Sequence, residues 1–211
     1  MAKILKLPVQ PPSKLGFQRV KKRTKKDAED QGQLNLFSAP ASSGARIVSL
    51  PSRLGPFEEA LMLDERGDRQ AAEKYLKAIE AGDGVADAYC NLGILESQAA
   101  RNARAYDCFT QSLKLDARHL ESHYNLGNLY FDDGDLRLAR MHYEIAAELQ
   151  PTFPNTYFNL GLALALLEDF PAAIVALNKY KELVSKEEGS KADELLASLK
   201  QSVAVKRKSK S

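Results

Sequence analysis

The stretch "HYNLGNLY", residues 123–130, has two altered copies in the chain: "YCNLGILE" at 89–96 and "YFNLGLAL" at 157–164. The triplet Asn-Leu-Gly therefore begins at Asn91, Asn125 and Asn159, and both intervals are 34 residues. Windows 86–119, 120–153 and 154–187 align on it, and other positions fall into phase. Ala105, Ala139 and Ala173 each lie 12 residues after the glycine; Phe109, Tyr143 and Leu177 follow four later, and Ser112, Ala146 and Tyr180 three after those. Steps of three and four keep side chains on one face of a helix. Turn positions fall near Ala100, Gly134 and Glu168. Upstream, "FEEALMLDERGDRQAAEKYLKAIE" is a degenerate fourth copy, with Ala71, Tyr75 and Ala78 in phase and a turn at Gly67 one residue short.

This pattern resembles the tetratricopeptide repeat, whose 34-residue unit is a helix–turn–helix. The match covers about 53–187 and includes the Leu-Gly pair, the small residue of the second helix and one closing proline, Pro151. It departs in having Tyr89, His123 and Tyr157 where the family has tryptophan, and Ala117 where a closing proline is usual. The expected architecture is all-α: a tetratricopeptide-repeat solenoid with repeats at 53–85, 86–119, 120–153 and 154–187. Gly93, Gly127 and Gly161 are expected to let helix backbones approach closely, since a mid-helix glycine costs about 1 kcal/mol against alanine and needs a packing reason. A capping helix is expected at 188–204, where Leu195, Leu196, Leu199 and Val203 share one face. Stacked repeats leave an apolar end that such a helix covers.

Outside this body the composition changes. Residues 1–52 form a basic tail and linker expected to be disordered, and 205–211 a second basic disordered tail. Residues 1–50 carry +7, residues 199–211 carry +5 and the body between them −10. Proline, serine and charge leave the tails too little apolar surface to offset ordering entropy when alone. The longest apolar run, "LGLALALL" from Leu160, has eight residues, far below the roughly 18 of a membrane span. No membrane contact is expected, and two cysteines give no disulfide framework. A cytoplasmic location is the default expectation.

Leucine and glycine of the triplet have packing duties; the asparagine does not. Positions 2, 6, 9 and 13 of each repeat form one stripe on the first helix, spaced four, three and four apart. The stripe includes Asp87, Asn91, Glu121, Asn125, Asn128, Asp132 and Asn159. The resemblance implies that these helices line a concave surface and that the stripe faces it. An amide offers a donor and an acceptor, matching the N–H and C=O of an extended peptide. Asn91, Asn125 and Asn159 are thus candidates for a ladder gripping peptide backbone; bonding to the adjacent repeat's helix is the alternative. Three amides alone cannot bind tightly, so apolar anchors are needed, with Tyr124 and Phe158 the nearest and Phe57, Phe131, Leu162 and Leu166 beside them. Asp64, Glu65, Asp87, Glu121 and Asp132 lie on the stripe or beside it and make the groove acidic. The family's clamp for chaperone tails needs basic groove residues, so a basic or neutral segment is the better match. The chain's own "RVKKRTKK" (19–26) or "KRKSKS" (206–211) suits it as an autoinhibitory occupant, against the alternative of idle solvated charge.

The function expected is a non-catalytic protein–protein scaffold or adaptor. His119 and His123 have a zinc-like spacing of four, but His142 lies on another helix and no carboxylate completes a set, so no metal is expected. Cys90 and Cys108 lack a basic partner that would activate a thiolate, and no phosphate-binding loop appears; neither cofactor nor enzyme activity is expected. The alternative function is association with nucleic acid. "KLGFQRVKKRTKK" holds seven basic residues in thirteen, enough for weak, non-specific, salt-sensitive phosphate contacts. Gln33, Leu34, Leu36 and Phe37 of "QLNLF" resemble the short motif by which bacterial proteins engage the DNA sliding clamp.

Overall fold

Each unit contains two amphipathic stretches separated by residues that stop a helix, and each becomes a helical hairpin. The computed structural model describes residues 13–21 and 54–208. The hairpins are α1 (Pro56–Glu65) with α2 (Ala71–Glu80), α3 (Val85–Gln98) with α4 (Asn102–Leu115), α5 (Leu120–Asp132) with α6 (Leu136–Leu149), and α7 (Pro154–Leu166) with α8 (Phe170–Leu183). A short α9 (Lys186–Gly189) and one 3₁₀ turn (Ser190–Ala192) lead to α10 (Asp193–Lys208). The second helix of each hairpin packs on the first helix of the next. The described residues form an all-α solenoid.

Inside each hairpin the first helix ends on a left-handed residue: Gly67, Ala100, Gly134 and Glu168 have φ of 68°, 57°, 81° and 59°. After three of them an N–H reaches back to an otherwise open carbonyl: Asp68 to Leu63, Arg101 to Glu96 and Asp169 to Leu164, each at 2.9 Å. That is the Schellman closure of a helix end. The Asp135 and Asp169 side chains then cap the returning helices, accepting from the Leu138 and Ala172 N–H at 3.2 and 3.3 Å.

The glycines of the triplets have a different neighbour from the one expected. A Cβ on Gly127 would stand 2.6 Å from the Tyr143 ring; on Gly93 and Gly161 it would stand 2.8 and 2.6 Å from Phe109 and Leu177. The hole over each glycine receives the large side chain 16 positions later, on the returning helix, rather than a helix backbone. Phe109, Tyr143 and Leu177 are fully buried, as are Ala105, Ala139 and Ala173 beside them. At the C-terminal end α10 lies on α8 and buries Leu195, Leu196 and Leu199. The helix continues to Lys208, past the boundary expected at 204. The apolar pattern stops at Val203, but lysine and arginine are good helix formers and carry the backbone on.

Residues 1–12, 22–53 and 209–211 lie outside the described residues, and with them Gln33, Leu34, Leu36 and Phe37 and most of the basic run. Among the described residues no helix is long and apolar enough to cross a membrane, and no group of three His, Cys, Asp or Glu is arranged to hold a metal ion.

The histidines do structural work. His123 Nε2 is 3.2 Å from the Ala117 carbonyl, so that nitrogen carries the proton. Its Nδ1 therefore accepts from His142 Nδ1, 3.0 Å away. Burial pushes both rings below the usual histidine range, His142 down to about 4, with the neighbouring His123 as the second cause. Both are neutral in the fold.

Two outcomes follow from this packing. Gly127→Leu forces a side chain into the space held by Tyr143 and should destabilise the hairpin by about 1–3 kcal/mol, seen as a melting temperature lower by several degrees. An unchanged melting temperature would contradict the fit of ring over glycine. The unfolded chain takes up a proton on His142 near its ordinary pKa of about 6.5, whereas the folded chain resists until about 4. Stability is therefore full above pH 6.5 and declines as pH falls toward 4, by about 2 kcal/mol at pH 5 from His142 alone. His142→Gln should flatten that part of a denaturation series run from pH 7 to 5.

Candidate peptide groove

The face built by α1, α3, α5 and α7 is occupied by the chain's own residues 13–21. In an extended residue the N–H and C=O point to the same side, so one primary amide can bracket both. Three asparagines do so, and each holds a single residue of the segment. Asn159 Oδ1 accepts from Leu15 N–H at 2.8 Å while its Nδ2 donates to Leu15 C=O at 2.9 Å. Asn125 holds Gln18 in the same way, at 2.8 and 2.9 Å. Asn91 holds Val20, at 2.8 and 3.1 Å. The segment thus runs from α7 to α3, opposite to the order of the repeats.

The second N–H of each amide turns inward. Asn91 Nδ2 lies 3.1 Å from the Tyr75 hydroxyl, Asn125 Nδ2 3.4 Å from Cys90 Sγ, and Asn159 Nδ2 3.0 Å from the Tyr124 hydroxyl. Each of these is a residue of the preceding hairpin. The two alternatives for the asparagine are therefore combined in one side chain: bonding to the adjacent repeat aims the amide, and the remaining groups meet the segment. All three asparagines are fully buried beneath it rather than facing solvent.

Side chains of the segment add apolar and ionic contacts. Val20 is buried among Cys90, Ile94, Ala105, Phe109, Leu126 and Leu129. Phe17 stacks on Phe109 with ring centres 6.4 Å apart, and Leu15 packs on the core of the last two hairpins. Full burial of a side chain such as valine is worth about 1.5–3 kcal/mol. Arg19 forks onto Asp64, with Nε to Oδ2 at 2.8 Å and Nη2 to Oδ1 at 2.9 Å. Lys14 Nζ meets Asp132 at 3.1 Å. Asp132 is half exposed, so that pair is worth no more than about 1 kcal/mol.

The candidate residues separate into groups. Asn91, Asn125, Asn159 and Asp132 meet the segment directly, and the Tyr124 hydroxyl lies 3.1 Å from the Gly16 carbonyl. Asn128, expected on the binding stripe, instead accepts from the Tyr143 hydroxyl and from Asn159 Nδ2, both at 2.7 Å, and so orients a rung. Phe158 is turned into the core against Tyr180, ring centres 4.9 Å apart. Asp87 accepts from His119 Nε2 at 2.9 Å; His119 Nδ1 accepts from the Ser122 N–H, which fixes that tautomer. Glu121 lies 3.7 Å from the same imidazole. Burial raises the Cys90 thiol to about 12, which makes it a packing group. The basic segment suggested at 19–26 overlaps the occupant only at Arg19–Lys21. The groove needs apolar side chains between its polar contacts, and Leu15, Phe17 and Val20 supply them whereas "KKRTKK" does not. Of "KRKSKS", residues 206–208 belong to α10. Sequence reasoning placed Asp64 in the groove only as one acid among several, and missed the role of Tyr75 and the segment 13–18, whose only signal was two apolar residues, Leu15 and Phe17, in a polar tail.

Comparison with known proteins agrees with this architecture. A tetratricopeptide-repeat family model matches residues 86–119, and a TPR-repeat model matches 127–168. Tetratricopeptide repeat-containing protein trd-1 of Caenorhabditis elegans is 29% identical over 147 residues; the match covers 57% of this chain and 19% of that protein. The chain thus spans less than a fifth of that relative. Among solved structures, a mutant of MamA is 22% identical with a TM-score of 0.59, covering 71% of this chain and 86% of that one. The first TPR of Spaghetti (RPAP3), bound to the HSP90 peptide SRMEEVD, is 20% identical with a TM-score of 0.51, covering 56% and 95%. At these identities the likeness concerns the fold. The 34-residue phase, the stacked hairpins and the family-model matches within them agree: residues 86–119 and 127–168 are tetratricopeptide repeats.

Proposed function

We propose that this protein is a peptide-binding adaptor whose groove takes an extended, basic or neutral segment, and that residues 13–21 close the groove in cis until a partner segment displaces them. The observation that carries the reading is the threefold bracket: Asn159, Asn125 and Asn91 each pair with both backbone groups of one residue. A backbone grip of this kind accepts many sequences, which suits an adaptor. The solved relative from Spaghetti (RPAP3) holds the acidic peptide SRMEEVD. Here the groove's Asp64 and Asp132 meet Arg19 and Lys14, so the opposite charge is favoured.

Competition in cis sets the affinity a partner needs. A tethered segment is present at an effective concentration on the order of millimolar, so a free peptide of the same sequence enters the unaltered chain poorly. Val20→Asp places a charge where the side chain is now buried and should free the segment.

A labelled peptide of residues 13–21, titrated by fluorescence anisotropy, tests both parts. The Val20→Asp chain should bind it at least about tenfold more tightly than the unaltered chain. Asn125→Ala with Asn159→Ala in that background removes four hydrogen bonds, each worth about 0.5–1.5 kcal/mol, and should weaken binding by at least about tenfold. Equal affinity with and without the two asparagines would remove the ladder. Equal affinity for the Val20→Asp and unaltered chains would remove the closure in cis. A pull-down with the intact chain, compared with an Asn91/Asn125/Asn159→Ala chain, then identifies the natural partner.

A further inference from the structure

One end of the groove reads a side chain rather than a backbone. Asp64 lies on α1 and is 5% exposed, yet it sits beyond the last rung of the ladder. A buried carboxylate without a cation is strongly unfavourable, so this position requires a basic partner. Both of its oxygens are committed to one guanidinium, Oδ2 to Nε and Oδ1 to Nη2 of Arg19. Two parallel N–H bonds from a planar group match both oxygens of a carboxylate, a fit the point charge of lysine cannot reproduce.

Neighbouring groups hold the carboxylate in that orientation. The Tyr75 hydroxyl donates to Asp64 Oδ2 at 3.1 Å, and Asn91 Nδ2 donates to the Tyr75 oxygen at 3.1 Å. The same Asn91 brackets Val20, whose side chain is 1% exposed. One hydrogen-bonded chain therefore joins the recognition of two consecutive residues: an arginine by charge and shape, and an aliphatic residue by backbone bracket and burial. At the other end Lys14 meets Asp132, a carboxylate that is half exposed, and so carries no comparable penalty for losing its cation.

We propose that Asp64 is the specificity-determining residue of the groove, and that with Tyr75 and Asn91 it selects segments carrying arginine immediately before a buried aliphatic residue. This rests on the ladder reading and names the ligand class that the ladder leaves open. A partner segment that lacks the arginine leaves the Asp64 carboxylate without its cation, with the Tyr75 hydroxyl as the donor that remains. The groove thus rejects it instead of binding it neutrally.

Peptides of residues 13–21 carrying arginine, lysine or citrulline at position 19 test the proposal against the intact Val20→Asp chain. Citrulline keeps the shape of arginine and removes its charge. Lysine and citrulline should each weaken binding at least tenfold. If either binds within threefold of the arginine peptide, the pocket is overturned while the ladder stands. If the arginine peptide itself fails to bind, the ladder reading falls and the pocket with it. A second measurement needs no added peptide: trypsin cleavage after Arg19 in the otherwise unaltered chain. Asp64→Asn should accelerate that cut at least tenfold by releasing the arginine, with helical content retained. An unchanged cleavage rate would also overturn the assignment.

Discussion

A primary amide with two N–H groups, held once per repeat, is the device on which the groove depends. A side-chain amide free to rotate would gain little by bonding a peptide, because ordering it costs entropy. Here one N–H is already tied to the preceding hairpin through Tyr75, Cys90 or Tyr124. The acceptor oxygen and the second N–H are left aimed at the groove. Pre-aiming requires that consecutive first helices keep a fixed register, and that register is set deeper in the fold. Phe109, Tyr143 and Leu177 fill the spaces over Gly93, Gly127 and Gly161, so a side chain at any of those glycines disturbs the hairpin that carries the neighbouring asparagine.

Charge then decides what enters. The body of the chain is acidic and its N-terminal fifty residues are basic, so long-range attraction brings the two together. Long-range attraction does not specify a register, and a pair such as Lys14 with the half-exposed Asp132 adds little. Register comes from residues that are buried: Val20 in its apolar site, Phe17 on Phe109, and three bracketed backbone positions. The run "KKRTKK" carries more charge than residues 13–21 but has no apolar side chain to place between the rungs. Apolar contact outweighs charge density in choosing the occupant.

Much of the fold was legible because repetition is a strong signal. One in-phase glycine is weak; three at a fixed interval, with small and large residues at constant offsets, leave one architecture. The left-handed turn residues fell where the pattern placed them, even at Ala100 and Glu168, where no glycine announces them. The three asparagines were legible as a stripe for the same reason. What the sequence could not supply was contact between segments far apart in the chain. Residues 13–21 look unstructured by composition because their order comes from a surface whose contacts lie 45 to 144 residues away in the chain. Asp64 was visible only as one acid among several, since neither its burial nor its pairing with Arg19 can be read from helical spacing. Asn128 and Phe158 were assigned to the groove from helical spacing, but a stripe two residues wide cannot distinguish a side chain lining the groove from one supporting it.

A groove that binds backbone would, on its own, be indiscriminate, because every peptide has the same N–H and C=O groups. Discrimination must therefore come from positions where a wrong side chain is penalised. An apolar site tolerates similar residues with modest loss, as Val20 could be exchanged for another aliphatic side chain. A buried carboxylate tolerates almost nothing, because the loss includes leaving a charge uncompensated as well as forfeiting a contact. Asp64 is the one such group along the segment as described. It stands at the end of the ladder, where it is coupled through Tyr75 to the rung at Asn91. Backbone affinity and side-chain selectivity are thus separated along the groove but joined by one hydrogen-bonded chain, so the final rung closes best on a residue that follows arginine.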